Sequence, residues 1–201
     1  MKKYLLLLIC APLLFSCGSS NSKIKTNSNS SIQQEKEDLI AQFNRDLKLN
    51  IEASNNKNWD VVLDMTYPHL FNLVSREEMI GVMKSIFDIF KDFQVSSISN
   101  VRHPYPIIDH EGGRFTKFVY DREVTFTFYN TDDLDNILPG FIEEYGEDNI
   151  KVFRNNNSVT VSGESSMLAV LEENASEWKY LEWNDNIQQF VSASVIDQLS
   201  K

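Results

Sequence analysis

Few side chains in this 201-residue chain are placed to do chemistry, and Arg122 is the most informative of them. In the run from Phe118 to Phe126, Phe118, Tyr120, Val124 and Phe126 share one parity, opposed by Asp121, Glu123 and Thr125. That alternation predicts a strand with one buried face, and Arg122 falls on the buried parity. A cation there must be paired or must meet a ligand, because an unpaired buried charge is very costly. Three readings are open: an anion-binding or substrate-orienting Arg, a bulge at Asp121-Arg122 that flips the parity, or a structural pair with Glu123 or Asp64. Tyr67-Pro68-His69 is the second constellation. His69 can act as a general base if a carboxylate orients it, while Tyr67 and Tyr120 can hydrogen-bond a ligand or satisfy their own hydroxyls inside the fold. Arg122, Tyr67, His69 and Tyr120 are therefore the ligand-binding candidates, and no residue is assigned as catalytic.

Other patterns lead away from metals and cofactors. Asp109-His110-Glu111, with His103 nearby, contains metal-ligating types, but the Gly112-Gly113 turn that follows makes a solvated acidic hairpin tip the better reading. The acidic run from Thr131 to Asn136 lacks the EF-hand spacing and its glycine, and suits a helix N-terminus instead. The 7 glycines are scattered rather than gathered into a phosphate-binding loop. No metal and no cofactor is expected. With 19 Lys and Arg against 29 Asp and Glu, the net charge is −10, which disfavours nucleic-acid partners.

The elements that must hold these residues read as helices first and strands later. Leu39, Ile40, Phe43, Leu47 and Ile51 recur at helical spacing over 32–54, behind a capping box at Ser31-Ile32-Gln33-Gln34. Asn55 to Asn58 end that helix and can cap a short second one around Trp59, Val62 and Leu63, which stops before Pro68. Ser75-Arg76-Glu77-Glu78 caps a third, whose Met79, Met83, Phe87 and Phe90 face a core. Strands are expected around 95–101, over 114–129, and near 150–154, 158–163, 166–173 and 177–183. Between them Leu134 to Tyr145 form a helical stripe closed by Gly146 and kinked or split at Pro139. Helices followed by a mostly antiparallel sheet make an α+β fold. The 13 Phe, 7 Tyr and 3 Trp require a strongly curved sheet wrapped on the helices.

The N-terminus reads as an address. Lys2 and Lys3 precede the apolar run Leu5–Phe15, which is signal-peptide length and too short to span a membrane. Leu14-Phe15-Ser16-Cys17 resembles a bacterial lipobox, and that resemblance implies cleavage after residue 16 and lipidation of Cys17. Loss of Lys2 and Lys3 deepens the negative charge by two units, and Cys10 leaves with the signal. The mature chain then has no disulfide and no catalytic or metal-binding cysteine. Residues 17–31 read as the lipidated Cys and a Ser/Asn-rich tether with a reach of roughly 20 Å, leaving 32–201 as a single domain. Gly18 after the Cys resembles lipoproteins of the outer membrane of a two-membrane bacterium, with the periplasmic and surface faces both open.

The order of elements, with Asn58-Trp59-Asp60, Tyr67-Pro68-His69-Leu70-Phe71, Ser75-Arg76-Glu77-Glu78-Met79 and Glu177-Trp178-Lys179-Tyr180-Leu181, resembles the nuclear-transport-factor-two-like (cystatin-like, SnoaL-like) superfamily over roughly 36–183. The resemblance implies a cone-shaped sheet around a long helix, enclosing an apolar pocket, with 131–149 as an added lid or filler. Because that superfamily holds enzymes and binding modules alike, it licenses no activity by itself. The resulting expectation is a lipid-anchored domain of the cell envelope that binds a partner protein or a small apolar ligand without catalysis. Two alternatives stand beside it: a cone-fold enzyme working by proton transfer (isomerase, dehydratase or hydrolase), and a structural envelope subunit whose cone is filled by its own side chains.

Overall fold

The computed structural model describes residues 29–200 apart from Ile98 and Tyr105. The signal-like segment, Cys17 and the tether up to residue 28 lie outside the described residues. Helix α1 (Asn29–Asn55) is followed by α2 (Trp59–Met65), a 3₁₀ turn (Pro68–Asn72) and α3 (Arg76–Phe87). Strands β1 (Asp92–Ser97), β2 (Ile108–His110) and β3 (Gly113–Thr127) come next. After α4 (Thr131–Tyr145) the chain returns through β4 (Ile150–Phe153), β5 (Ser158–Glu172) and β6 (Lys179–Glu182), and ends in α5 (Ala193–Leu199). The strand pairings among the described residues are all antiparallel, in the order β1-β3-β5-β4, with β2 also on β3 and β6 also on β5. The sheet stays open. This is the α+β class expected from the sequence.

Local chemistry explains most boundaries. Ser75 caps α3 in a full capping box: its side chain accepts from the Glu78 N–H, and the Glu78 carboxylate accepts from the Ser75 N–H. Asn130 caps α4 by accepting from the Asp133 N–H, with Asp132 and Asp133 in the first turn. Gly146, at φ +80°, closes that helix in a backbone conformation few side chains tolerate.

Four expectations need correction. Helix α1 is already formed at Asn29, so Asn29–Ser31 belong to it rather than to a tether, and Ser31 lies inside the helix instead of capping it. Asn58 takes the position before α2 but makes no side-chain cap bond. Of the two readings at Pro139, the split one is overturned, because α4 is a single helical run that continues to Tyr145. The two strands expected at 158–163 and 166–173 are one 15-residue strand, β5, because every residue from Ser158 to Glu172 pairs along β3. The polar run Gly163-Glu164-Ser165-Ser166 looks like a turn in sequence; the ladder to β3 overrides it.

The core lies between helices and sheet in three apolar clusters. In the first, Leu39, Phe43 and Leu47 of α1 bury against Phe118, Trp178 and Tyr180; the Phe43 ring stacks on Phe118 at 4.9 Å and meets Trp178 edge-on at 5.4 Å. A second joins Trp59, Phe87, Phe90 and Phe93 to Val124, Phe126 and Phe128, with Leu134 and Phe141 of α4 completing it. The third gathers Leu63, Tyr67 and Met79 with Leu168, Val170 and the C-terminal Val195. Side-chain clamps fix α1 on the sheet edge. The Asn55 amide bonds both the N–H and the C=O of Val95 at 2.7 and 2.8 Å, and Asn44 accepts from the Val101 N–H at 3.0 Å.

Candidate functional site

Between α1, α2 and α3 on one side and the sheet on the other lies a cavity of about 260 Å³. Its walls are mostly apolar. Trp59 and Phe87 stack at 4.8 Å and 15°, Phe93 meets Phe87 at 4.4 Å, and Met79, Met83 and Val124 complete that end. The segment after β6 contributes Asn184, Ile187 and Phe190. The aromatic surplus therefore does two jobs: most rings pack on one another, and a minority face an interior space.

The polar end is built by strand parity and register. Tyr120 and Arg122 project from β3 on the face that also carries Phe118, Val124 and Phe126. Across the ladder Tyr120 stands opposite Ser165 and Arg122 opposite Gly163, which has no side chain to fill the space. One strand further on, β6 presents Tyr180 and Glu182. The Arg122 Nη2 lies 3.4 Å from the Glu182 Oε1, and their side chains keep only 23% and 19% of their exposure.

Burial dominates the electrostatics here. Loss of water around Glu182 disfavours its charged form and raises its carboxyl pKa from 4.5 to about 7, against the opposing pull of Arg122. The Tyr120 hydroxyl is likewise pushed up by burial, with Arg122 and Ser165 drawing it back through charge and hydrogen bonding and Glu182 adding to the rise. Tyr180 is pushed up by burial and by Asp46 of α1, which accepts its hydroxyl hydrogen; that hydroxyl ties helix to sheet.

The parity reading of Arg122 thus placed it in the cavity, with no flip at Asp121-Arg122. Its partner is neither Glu123 nor Asp64. Glu123 accepts from Ser162 and lies 3.9 Å from Lys151, while Asp64 pairs with Arg76 at 2.8 Å. Glu182 is the residue that sequence reasoning missed. The available signal was its parity with Tyr180, an aromatic expected to point inward, in the strand Lys179-Tyr180-Leu181-Glu182.

Tyr67 and His69 do not line this cavity. Tyr67 is buried in the third cluster, its hydroxyl 3.1 Å from the His69 Nδ1, and burial followed by the nearby Glu172 charge raises its pKa. His69 is half exposed, with Nε2 3.4 Å from Glu172. A carboxylate does accompany His69, as a general base would need, but on the surface at the far end of β5. The hairpin-tip residues are held in surface contacts: Asp109 lies 3.6 Å from Arg114, and the His110 Nε2 is 2.9 Å from the Ser192 hydroxyl. Glu111 approaches that same nitrogen at 3.5 Å, so it cannot orient His110 from its other side as a hydrolytic triad requires.

The class that fold and site define is an α+β domain whose sheet carries a mostly apolar cavity with one buried ion pair. No family model matches the chain, and no curated protein matches it in sequence. Among solved structures it is similar to AclR, a hydroxylase candidate from Streptomyces galilaeus, at 12% identity and a TM-score of 0.33, over 80% of this chain and 97% of that one. A likeness that distant carries no inference about activity.

Proposed function

We propose that the chain is a lipid-anchored, exported domain of the cell envelope, of the cone-shaped cystatin-like kind, that holds a small and largely apolar ligand without transforming it. One observation carries the reading: aromatic and methionine walls converge with the Arg122–Glu182 pair on an interior space rather than on an outer surface. That favours a small ligand over a partner protein. At about 260 Å³ the space falls just under the ~300–1,000 Å³ typical of drug-sized ligands, so the ligand is small. The lipobox-like Cys17 supplies the anchor, and the acidic composition fits an exported domain without nucleic-acid partners.

Mass spectrometry of small molecules released from the purified full-length protein tests this reading. A stoichiometric, mostly apolar molecule is expected, and Met83→Trp, which fills the cavity, should abolish it. Equal retention by a folded Met83→Trp variant would place the molecule elsewhere and overturn the reading.

A second reading has its own observation. Glu182, with its carboxyl pushed up to about 7 beside Arg122 and Tyr120, has the properties of a proton-transfer group. That would make the domain an enzyme of the isomerase or dehydratase kind. Chemical change in the bound molecule that is lost in Glu182→Gln would favour it.

A further inference from the structure

The Arg122–Glu182 contact is one long hydrogen bond of 3.4 Å. Beside the sheet, Arg102, bridged to Val119 of β3, shows what a guanidinium does with a well-placed carboxylate: it forks Asp121 at 2.6 and 3.0 Å. Arg122 and Glu182 thus meet at the cavity wall in a geometry that a better-aligned carboxylate would improve on. Among the described residues that line the cavity, Arg122 is the only cation.

The two members of the pair also differ in what they can do when separated. Arginine stays charged at any relevant pH, whereas a carboxyl group can take up a proton and become neutral. A cationic ligand bound to Glu182 would leave two positive charges against one negative in a poorly hydrated space. An anionic ligand bound to Arg122 leaves no excess charge, provided Glu182 protonates. A neutral ligand leaves the pair as it is and gains nothing from it.

We propose that the cavity takes a small amphiphile bearing a single carboxylate, which replaces Glu182 on Arg122 while Glu182 takes up a proton. The inference rests on the reading of the cavity as a ligand site and names the ligand's chemical class. The apolar body lies against Trp59, Phe87 and Phe93, and the carboxylate forks the guanidinium. Besides Arg122 and Glu182, four other ionisable groups line the cavity. Tyr120 on β3 and Tyr180 on β6 have their hydroxyls pushed above the ordinary phenol range. Tyr145 comes from α4, and Glu164 on β5 is held outward by Arg102 at 2.9 Å. Helices α1, α2 and α3 present no ionisable group to the cavity. The raised Glu182 carboxyl agrees with the geometry: little further cost is needed to neutralise it.

Calorimetric titration of the full-length protein with octanoate, and with octan-1-ol as the uncharged control, tests the proposal. Octanoate should bind at least tenfold more tightly than octanol at neutral pH. Its affinity should fall about tenfold per unit as pH rises above neutral, with about one proton taken up on binding, read from the dependence of the heat on buffer ionisation. Glu182→Gln, which resembles the protonated carboxyl, should bind octanoate without that pH dependence; Arg122→Gln should lose the preference for octanoate over octanol. Thermal unfolding of each variant separates lost binding from lost folding. Equal binding of octanol and octanoate without proton uptake would overturn the carboxylate assignment and leave the apolar site standing. Binding of neither, by a protein that also releases no small molecule, would overturn the ligand-site reading itself.

Discussion

Glu182 is where the energetics of a single residue are most exposed to test. Folding raises its carboxyl from 4.5 to about 7, so between those values the folded chain holds a proton that the unfolded chain has released. The stability it contributes is complete below about 4.5 and is lost as pH rises to about 7. The whole shift corresponds to a loss on the order of 3 kcal/mol. Glu182→Gln should remove that slope, so its melting temperature should exceed the parent's at about pH 8 and match it at about pH 4. Melting curves that diverge equally at both pH values would contradict the buried-carboxyl account. Arg122 itself was readable from alternation alone, because parity is a property of neighbouring residues. Its partner was not, since Arg122 and Glu182 stand 60 residues apart and meet only through β5.

At the scale of elements, the long α1 helix is useful only where it is pinned. Its apolar stripe of Leu39, Phe43 and Leu47 supplies contact area without register, which comes from the polar clamps of Asn44, Asp46 and Asn55. Asn55 is decisive at the C-terminal end, where it satisfies both backbone groups of Val95 on β1. Asn55→Ala should destabilise the fold by about 2 kcal/mol in chemical denaturation, since it leaves two half-buried backbone groups without their partners. A loss under about 0.5 kcal/mol, the level of an ordinary surface change, would show that water replaces the clamp. The helix stripes, the α3 capping box and the inward face of β3 were all readable in the sequence, being short-range patterns. The continuity of β5 was not. Its polar middle resembles a turn, and only pairing with all of β3 shows that Ser165 lies opposite Tyr120 while Glu164 turns out to Arg102.

At the scale of the whole molecule, the lipid anchor proposed at Cys17 would hold the domain close to a membrane. Among the described residues no helix is long and apolar enough to cross one; the proposed attachment is through Cys17. Cys17→Ser should move the full-length protein from the membrane fraction to the soluble fraction; persistence in the membrane fraction would remove the lipid anchor from the account. The aromatic load has a comparable global role. Phe43 packs on Phe118, Phe128 on Phe90 and Phe126 on Phe93, so these rings build the interior beside the cavity.

The sequence by itself determined what depends on near neighbours. These are the amphipathic helices, the Ser75 capping box, the inward parity of Arg122 and Tyr120, the α+β order and the acidic charge. Helical and strand periods are set within a few residues, so a linear reading suffices for them. Tertiary structure decided which of those residues meet. It buried Tyr67 in a separate apolar cluster and left His69 beside it at the exposed end of β5, set Asp64 and Glu123 on other partners, and brought Glu182 across two strand pairings to Arg122. Such encounters follow from strand register and from how helices close over a sheet, and these are settled by the packing of the whole chain.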